Sequence, residues 1–168
     1  MSQHSPRYFA FSVSLLILIN NIAFSQTDQS NKNYSEIQIS KTLKDFYTAY
    51  FTLQADPYPM EIQGQKIDSL LKKYCTKEFL KFYYKIEGPE ELDWDPFLDA
   101  QECDIESLKT ISIKKHPQKN DLFYVTYIKL YNKELTTIEV TVIKEKASYK
   151  INSLPQLTRH IDFVRSKK

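Results

Sequence analysis

Leu135-Thr136-Thr137-Ile138-Glu139-Val140-Thr141-Val142-Ile143-Lys144-Glu145 decides the fold of this chain. Its residues alternate: Thr136, Ile138, Val140 and Val142 fall on one face, while Leu135, Thr137, Glu139 and Thr141 fall on the other. That period of two predicts a strand with one buried and one wetter face, the mark of an antiparallel sheet. Working outward, Leu108 to Lys115, Leu122 to Tyr131 and Ala147 to Leu154 are similarly rich in Ile, Val, Thr and Tyr. Short polar turns at His116 to Asp121, Asn132 to Glu134 and around Lys146 separate them, which predicts a meander of four antiparallel strands.

Upstream the period changes. Ile39, Leu43, Phe46, Tyr50 and Leu53 recur at spacings of three and four, with Tyr47 and Phe51 widening the stripe. Ser35-Glu36-Ile37-Gln38 fits a capping box, and Tyr34 with Ile39 fits a hydrophobic staple, so a first helix is expected to begin there. Pro57 and Pro59 end it. Ile67, Leu70, Leu71 and Tyr74 predict a second helix; Phe79, Phe82, Tyr83 and Ile86 predict a third, capped by Thr76. Gly88-Pro89 closes this half. Helices first and strands afterwards define an α+β domain over residues 34–155, three N-terminal helices packed on one face of the meander. The basic tail, residues 156–168, carries Arg159, Arg165, Lys167 and Lys168 and reads as a frayed, solvated end.

Between the two halves lies Leu92-Asp93-Trp94-Asp95-Pro96-Phe97-Leu98-Asp99-Ala100-Gln101-Glu102-Cys103-Asp104, which holds the chain's single Trp among five acidic side chains. Three physical readings are open. Trp94 and Phe97 plug the end of the core while Asp95 caps a turn begun by Pro96, since Asp at the cap and Pro at the first position are a favoured pair. Alternatively the dense oxygen ligands hold calcium, although Leu98 stands where an EF-hand loop demands Gly. Or the loop is a binding rim, its aromatics stacking and its carboxylates making polar contacts.

The residues Asp93, Trp94, Asp95, Pro96, Phe97, Ala100 and Gln101, with the order of elements around them, resemble an exported bacterial domain-of-unknown-function family, number 3828 of that series. Its members carry an Asp-aromatic-Asp-Pro-Phe…Ala-Gln-Asp segment between helices and sheet; here Glu102 takes the place of the final Asp. The resemblance covers roughly residues 38 to 155. It implies a nuclear transport factor 2-like or cystatin-like cone, in which a curved sheet wraps helices around a pocket; it supplies a shape and no reaction.

The start of the chain reads as an export address. Arg7 precedes an apolar run from Tyr8 to Ile19, and Ala23-Phe24-Ser25 forms a small-x-small cleavage site, so residues 1–25 are expected to be a signal peptide and 26–33 a flexible leader. The run is too short to span a bilayer, which needs about twenty residues. A periplasmic or secreted location is expected, with no membrane association after cleavage. Such a setting permits a disulfide between Cys75 and Cys103, worth about 3 to 4 kcal/mol for a loop of that length; two buried thiols are the alternative.

Composition excludes several functions. Of 23 Lys and Arg only Arg7 lies in the leader, and all 21 Asp and Glu lie beyond it, so the exported chain is almost neutral and offers nucleic acid no basic face. Two glycines, Gly64 and Gly88, cannot build a phosphate-cradling loop. His116 and His160 alone come after the leader, with no Cys-x-x-Cys or His-x-x-x-His spacing, so neither a zinc site nor a nucleophilic triad nor a cofactor is expected. One catalytic route stays open: proton transfer of the ketosteroid isomerase type, with Asp95 or Asp99 as base and Tyr47 or Tyr127 as hydrogen-bond donor. The leading expectation is an exported, non-catalytic binding module holding a small molecule or peptide in a sheet-and-helix concavity, with Trp94, Asp95, Phe97, Asp99, Gln101, Tyr47 and Tyr127 as binding residues. Its rival is a protein-recognising inhibitor or immunity factor anchored by Trp94 and Phe97.

Overall fold

The structure is a computed structural model, and it describes residues 33–86, 92, 94–101 and 104–167. The chain divides into a unit of residues 1–37, nearly all outside the described residues, and a compact unit from Gln38 to Lys168 that carries the sheet and its core. The expected export leader therefore lies outside the described residues. Among those that are described, no helix is long and apolar enough to cross a membrane.

Helix α1 covers residues 33–55. The helix is already formed at residue 33, so Ser35 sits inside it instead of capping it, and Tyr34 is exposed rather than stapled. Ser costs a helix little, so its place inside α1 is tolerated. The apolar stripe does what its spacing predicts: Ile39, Leu43, Phe46, Tyr47, Tyr50 and Phe51 are all buried. Helix α2 comes after Pro59 and runs over Met60–Tyr74, with Leu71 buried and Ile67, Leu70 and Tyr74 packed against the core. Helix α3, Lys77–Ile86, starts where expected, since Thr76 Oγ1 accepts from the Phe79 N–H at 3.2 Å.

Strands β1 (Ser112–Lys115), β2 (Leu122–Lys129), β3 (Glu134–Glu145) and β4 (Ser148–Ser153) pair in sequence order, all antiparallel. The alternation read from β3 holds: Thr136, Ile138, Val140 and Val142 are buried, and Leu135 and Thr137 are exposed. The register shifts where Thr141 faces Ser153 and Val142 faces Ile151, leaving Asn152 as the extra residue of a bulge. That residue is used. Its side-chain oxygen accepts from Thr76 Oγ1 at 3.1 Å, and Thr76 N–H donates to the Ile151 carbonyl at 2.9 Å, joining the α2–α3 junction to β4.

Two expectations are corrected. The strand read from Leu108 begins only at Ser112, because Ile105–Thr110 form a 3-10 helix. The Asp104 carboxylate accepts from the Glu106 N–H at 2.9 Å, and Thr110 Oγ1 accepts from the Ile128 N–H at 2.9 Å, so side chains take up backbone groups a longer strand would have paired. The basic tail is not frayed: Pro155–Ser166 form helix α4, with Leu157 and Ile161 buried. Pro155 suits a first helical position, and the Leu154 carbonyl accepts from both Leu157 and Thr158. The domain thus extends beyond residue 155. The result is an α+β unit with an open four-stranded antiparallel sheet and several helices.

Candidate functional site

Phe97 fixes the loop that comes after α3. It is wholly buried, with ring centroids 5.3 Å from Phe46, 5.2 Å from Tyr50, 6.0 Å from Phe79 and 5.5 Å from Tyr83. A ring buried against four others contributes its area and about 0.5–1.5 kcal/mol per favourable aromatic pair. With Phe97 held, Asp95 closes the turn around it. Its N–H donates to the Ala100 carbonyl at 2.8 Å, and its Oδ1 accepts from the N–H groups of Phe97 at 2.8 Å and Leu98 at 3.3 Å. The other oxygen, Oδ2, accepts from Tyr50 Oη at 2.7 Å and Gln54 Nε2 at 2.7 Å.

Asp95 therefore receives four hydrogen bonds, two from its own turn and two from α1. Burial pushes its carboxyl above the ordinary range, against the lowering effect of these donors, Tyr50 foremost. Tyr50, itself buried, has its phenol pushed well above its usual value by burial and by the Asp95 charge.

Above this pair opens a cavity of about 460 Å³. Helix α1 supplies Tyr50 and Gln54; α2 supplies Gly64, Ile67, Asp68 and Leu71; α3 supplies Tyr83 and Tyr84; the loop supplies Leu92, Trp94, Asp95 and Pro96. Trp94 is half-buried, and its ring meets His160 of α4 edge-on at 5.6 Å. Asp68 accepts from Tyr84 Oη at one oxygen and from Lys72 Nζ at 2.5 Å at the other, and those bonds, Lys72 first, hold its carboxyl below the usual range.

The sequence-predicted residues part company here. Trp94 and Asp95 line the cavity; Phe97 lies beneath it as a core plug. Asp99 and Gln101 are exposed and contribute nothing to the described lining; the Asp99 carbonyl accepts from Lys129 Nζ at 2.7 Å. Tyr127 donates its hydroxyl to the Leu98 carbonyl, buttressing the loop from β2, and Tyr47 is fully buried with its hydroxyl unpartnered. The cavity lies among helices and loop rather than under the sheet, whose inner face is filled by Phe123, Val125, Ile138 and Val140. Sequence reasoning missed Tyr50, Gln54, Asp68, Tyr83 and Tyr84 as a site. The Tyr50 and Gln54 pair at i,i+4 was readable as one helix face, but nothing in the sequence placed it beside Asp95.

The chemistry on offer is limited. Both Asp95 oxygens face donors from the protein itself, which leaves no free lone pair aimed at a substrate proton. Among the described residues no group of three or more His, Cys, Asp or Glu could hold a metal ion. His116 is engaged in its own turn, its Nδ1 accepting from Gln118 at 3.0 Å and Lys119 at 3.1 Å. Cys75 is a free, buried thiol that burial pushes up to about 12, against the pull of Lys150; Cys103 lies outside the described residues. A second, more open hollow of about 570 Å³ lies between α1 and α2, with Lys66 and Lys73 on its walls.

No family model matches this chain, and no curated protein does. Among solved structures it is similar to the crystal structure of a protein of unknown function from Bacteroides thetaiotaomicron VPI-5482, at 24% identity and a TM-score of 0.68, over 77% of this chain and 98% of the other. At that identity the likeness carries the fold, an α+β arrangement that a second protein shares, and no activity.

Proposed function

We propose that this protein is an exported, non-catalytic binding module that holds a small molecule in the cavity that Trp94 and Asp95 line. The observation that carries the reading is the cavity itself: about 460 Å³, with four aromatic rings and two carboxylates on its walls. That volume falls within the roughly 300–1,000 Å³ of small-molecule sites. Residues 95–100 at the wall are also pre-organised, because buried Phe97 and the Asp95 hydrogen bonds hold that turn before any ligand arrives, which lowers the ordering cost of binding. The proton-transfer alternative is disfavoured by the same bonds, which occupy the only enclosed carboxylate among the described residues of the wall. The finer fold we take to be of the nuclear transport factor 2 type, within the domain family that the Trp94 motif resembles; the bulge at Asn152 is the kind of feature that bends such a sheet.

Native mass spectrometry of the protein purified from its own host tests the reading. The expected spectrum has a chain beginning at Gln26 and carrying a small-molecule adduct that Trp94→Ala releases. A co-purifying protein lost with the same substitution would favour the inhibitor or immunity reading instead, and a bare chain unaffected by any metabolite mixture would overturn both.

A further inference from the structure

We propose that the ligand of this cavity is an organic ammonium cation whose nitrogen carries alkyl groups, as in a quaternary or trimethylated amine. The inference rests on the binding-module reading and narrows it to a chemical class. Its basis is what the walls have left to offer once their internal bonds are counted. Asp95 accepts from Tyr50, Gln54 and two backbone N–H groups, and Asp68 accepts from Tyr84 and Lys72. With four bonds accepted, Asp95 therefore presents charge to the cavity rather than an open hydrogen-bonding position, while Asp68 adds a second, outer negative charge. A sugar or other polyol needs directional acceptors, and the enclosed carboxylate has none open to it. A cation without N–H groups needs none.

The rest of the wall suits the same ligand. No Lys or Arg is among the described residues that line the cavity, while Tyr50, Tyr83, Tyr84 and Trp94 all are. Aromatic rings attract a cation through their quadrupole, and cages of such rings are a general solution for alkylated ammonium groups. Lys72 tempers the charge of Asp68 from outside the wall, which leaves Asp95 as the enclosed negative pole and Asp68 as the outer one. The open hollow between α1 and α2, with Lys66 and Lys73 on its walls, has the opposite sign and would repel the same ligand.

Isothermal titration of the full chain with choline chloride, with its neutral isostere 3,3-dimethylbutan-1-ol and with glucose tests the assignment. Choline is expected to bind at least tenfold more tightly than the isostere. Asp68→Asn is expected to weaken choline about three- to tenfold while leaving the isostere unchanged, and circular dichroism confirms that the variant folds, since the Asp68 side chain is partly open to solvent on α2. Equal affinity for choline and the isostere, or saturation by the isostere or glucose alone, overturns the cation assignment and leaves the binding-module reading standing. Heat from none of the three also overturns it, and there the metabolite adducts in native mass spectra decide separately whether the cavity binds anything.

Discussion

Asp95 joins a turn, a helix and a cavity through one carboxylate, so its protonation has a thermodynamic consequence. Burial raises its folded-state proton affinity above that of the unfolded chain, where an Asp titrates near pH 4. Between those two values the folded protein holds more protons than the unfolded one, and stability falls as pH rises. The Asp95 contribution is thus full below about pH 4 and is lost as pH climbs through the raised folded value. Urea midpoints of the wild type and Asp95→Asn, compared from pH 4 to 8, check this. The wild type is expected to lose ground to the variant as pH rises, and an advantage that grows with pH would contradict it. At this scale the site was half legible. A lone Trp beside Asp-Pro-Phe stands out in any sequence, and both Trp94 and Asp95 reach the cavity. Tyr50, Gln54, Asp68, Tyr83 and Tyr84 did not stand out, because each sits on an amphipathic helix where a polar residue beside a core stripe is ordinary. Only the packing of α1, α2 and α3 around Phe97 brings them together.

Elements were legible wherever one period ran long enough to outweigh local chemistry. The α1 stripe and the β3 alternation both survive in the structure because burial selects the residues that define the period. Helix α4 escaped notice since its inward face is brief, Leu157 and Ile161 amid Arg and Lys, and the basic residues dominate the composition. Its integration is testable by one substitution. Leu157 is fully buried, so Leu157→Ala is expected to cost about 2–4 kcal/mol in urea unfolding, against less than about 0.5 kcal/mol at a frayed end. Arg159→Ala is expected to cost under about 1 kcal/mol, because the 2.9 Å pair of Arg159 with Glu139 is largely solvent-exposed. The hairpins carry a cost of another kind. Lys133 and Lys146 adopt left-handed backbone angles, φ 61° and φ 55°, which a side chain adopts at about 1 kcal/mol. Lys146→Gly is therefore expected to raise the free energy of urea unfolding by up to about 1 kcal/mol, less the extra freedom Gly brings to the unfolded chain.

Across the whole compact unit, the order of the first helices before the strands was readable because the hydrophobic period changes at the acidic loop. How that loop and the C-terminal helix close on each other was not, because it depends on contacts between residues dozens of positions apart. Trp94 meets His160; Gln156 Oε1 accepts from the Glu139 N–H at 3.2 Å while its Nε2 reaches the Pro96 carbonyl at 3.4 Å. One buried cluster also runs through α1, α3, Phe97, the sheet and α4 without interruption. A continuous core of this size unfolds in a single step, whereas a loosely docked loop would open first at lower cost. The chain provides its own reporters, since its single Trp sits on the loop and far-ultraviolet circular dichroism tracks the helices. The two signals are expected to give coincident urea transitions. Were Trp94 fluorescence to change at lower urea than the helical signal, the cavity wall would be a locally unfolding lid, and pre-organisation could no longer be part of how this site binds.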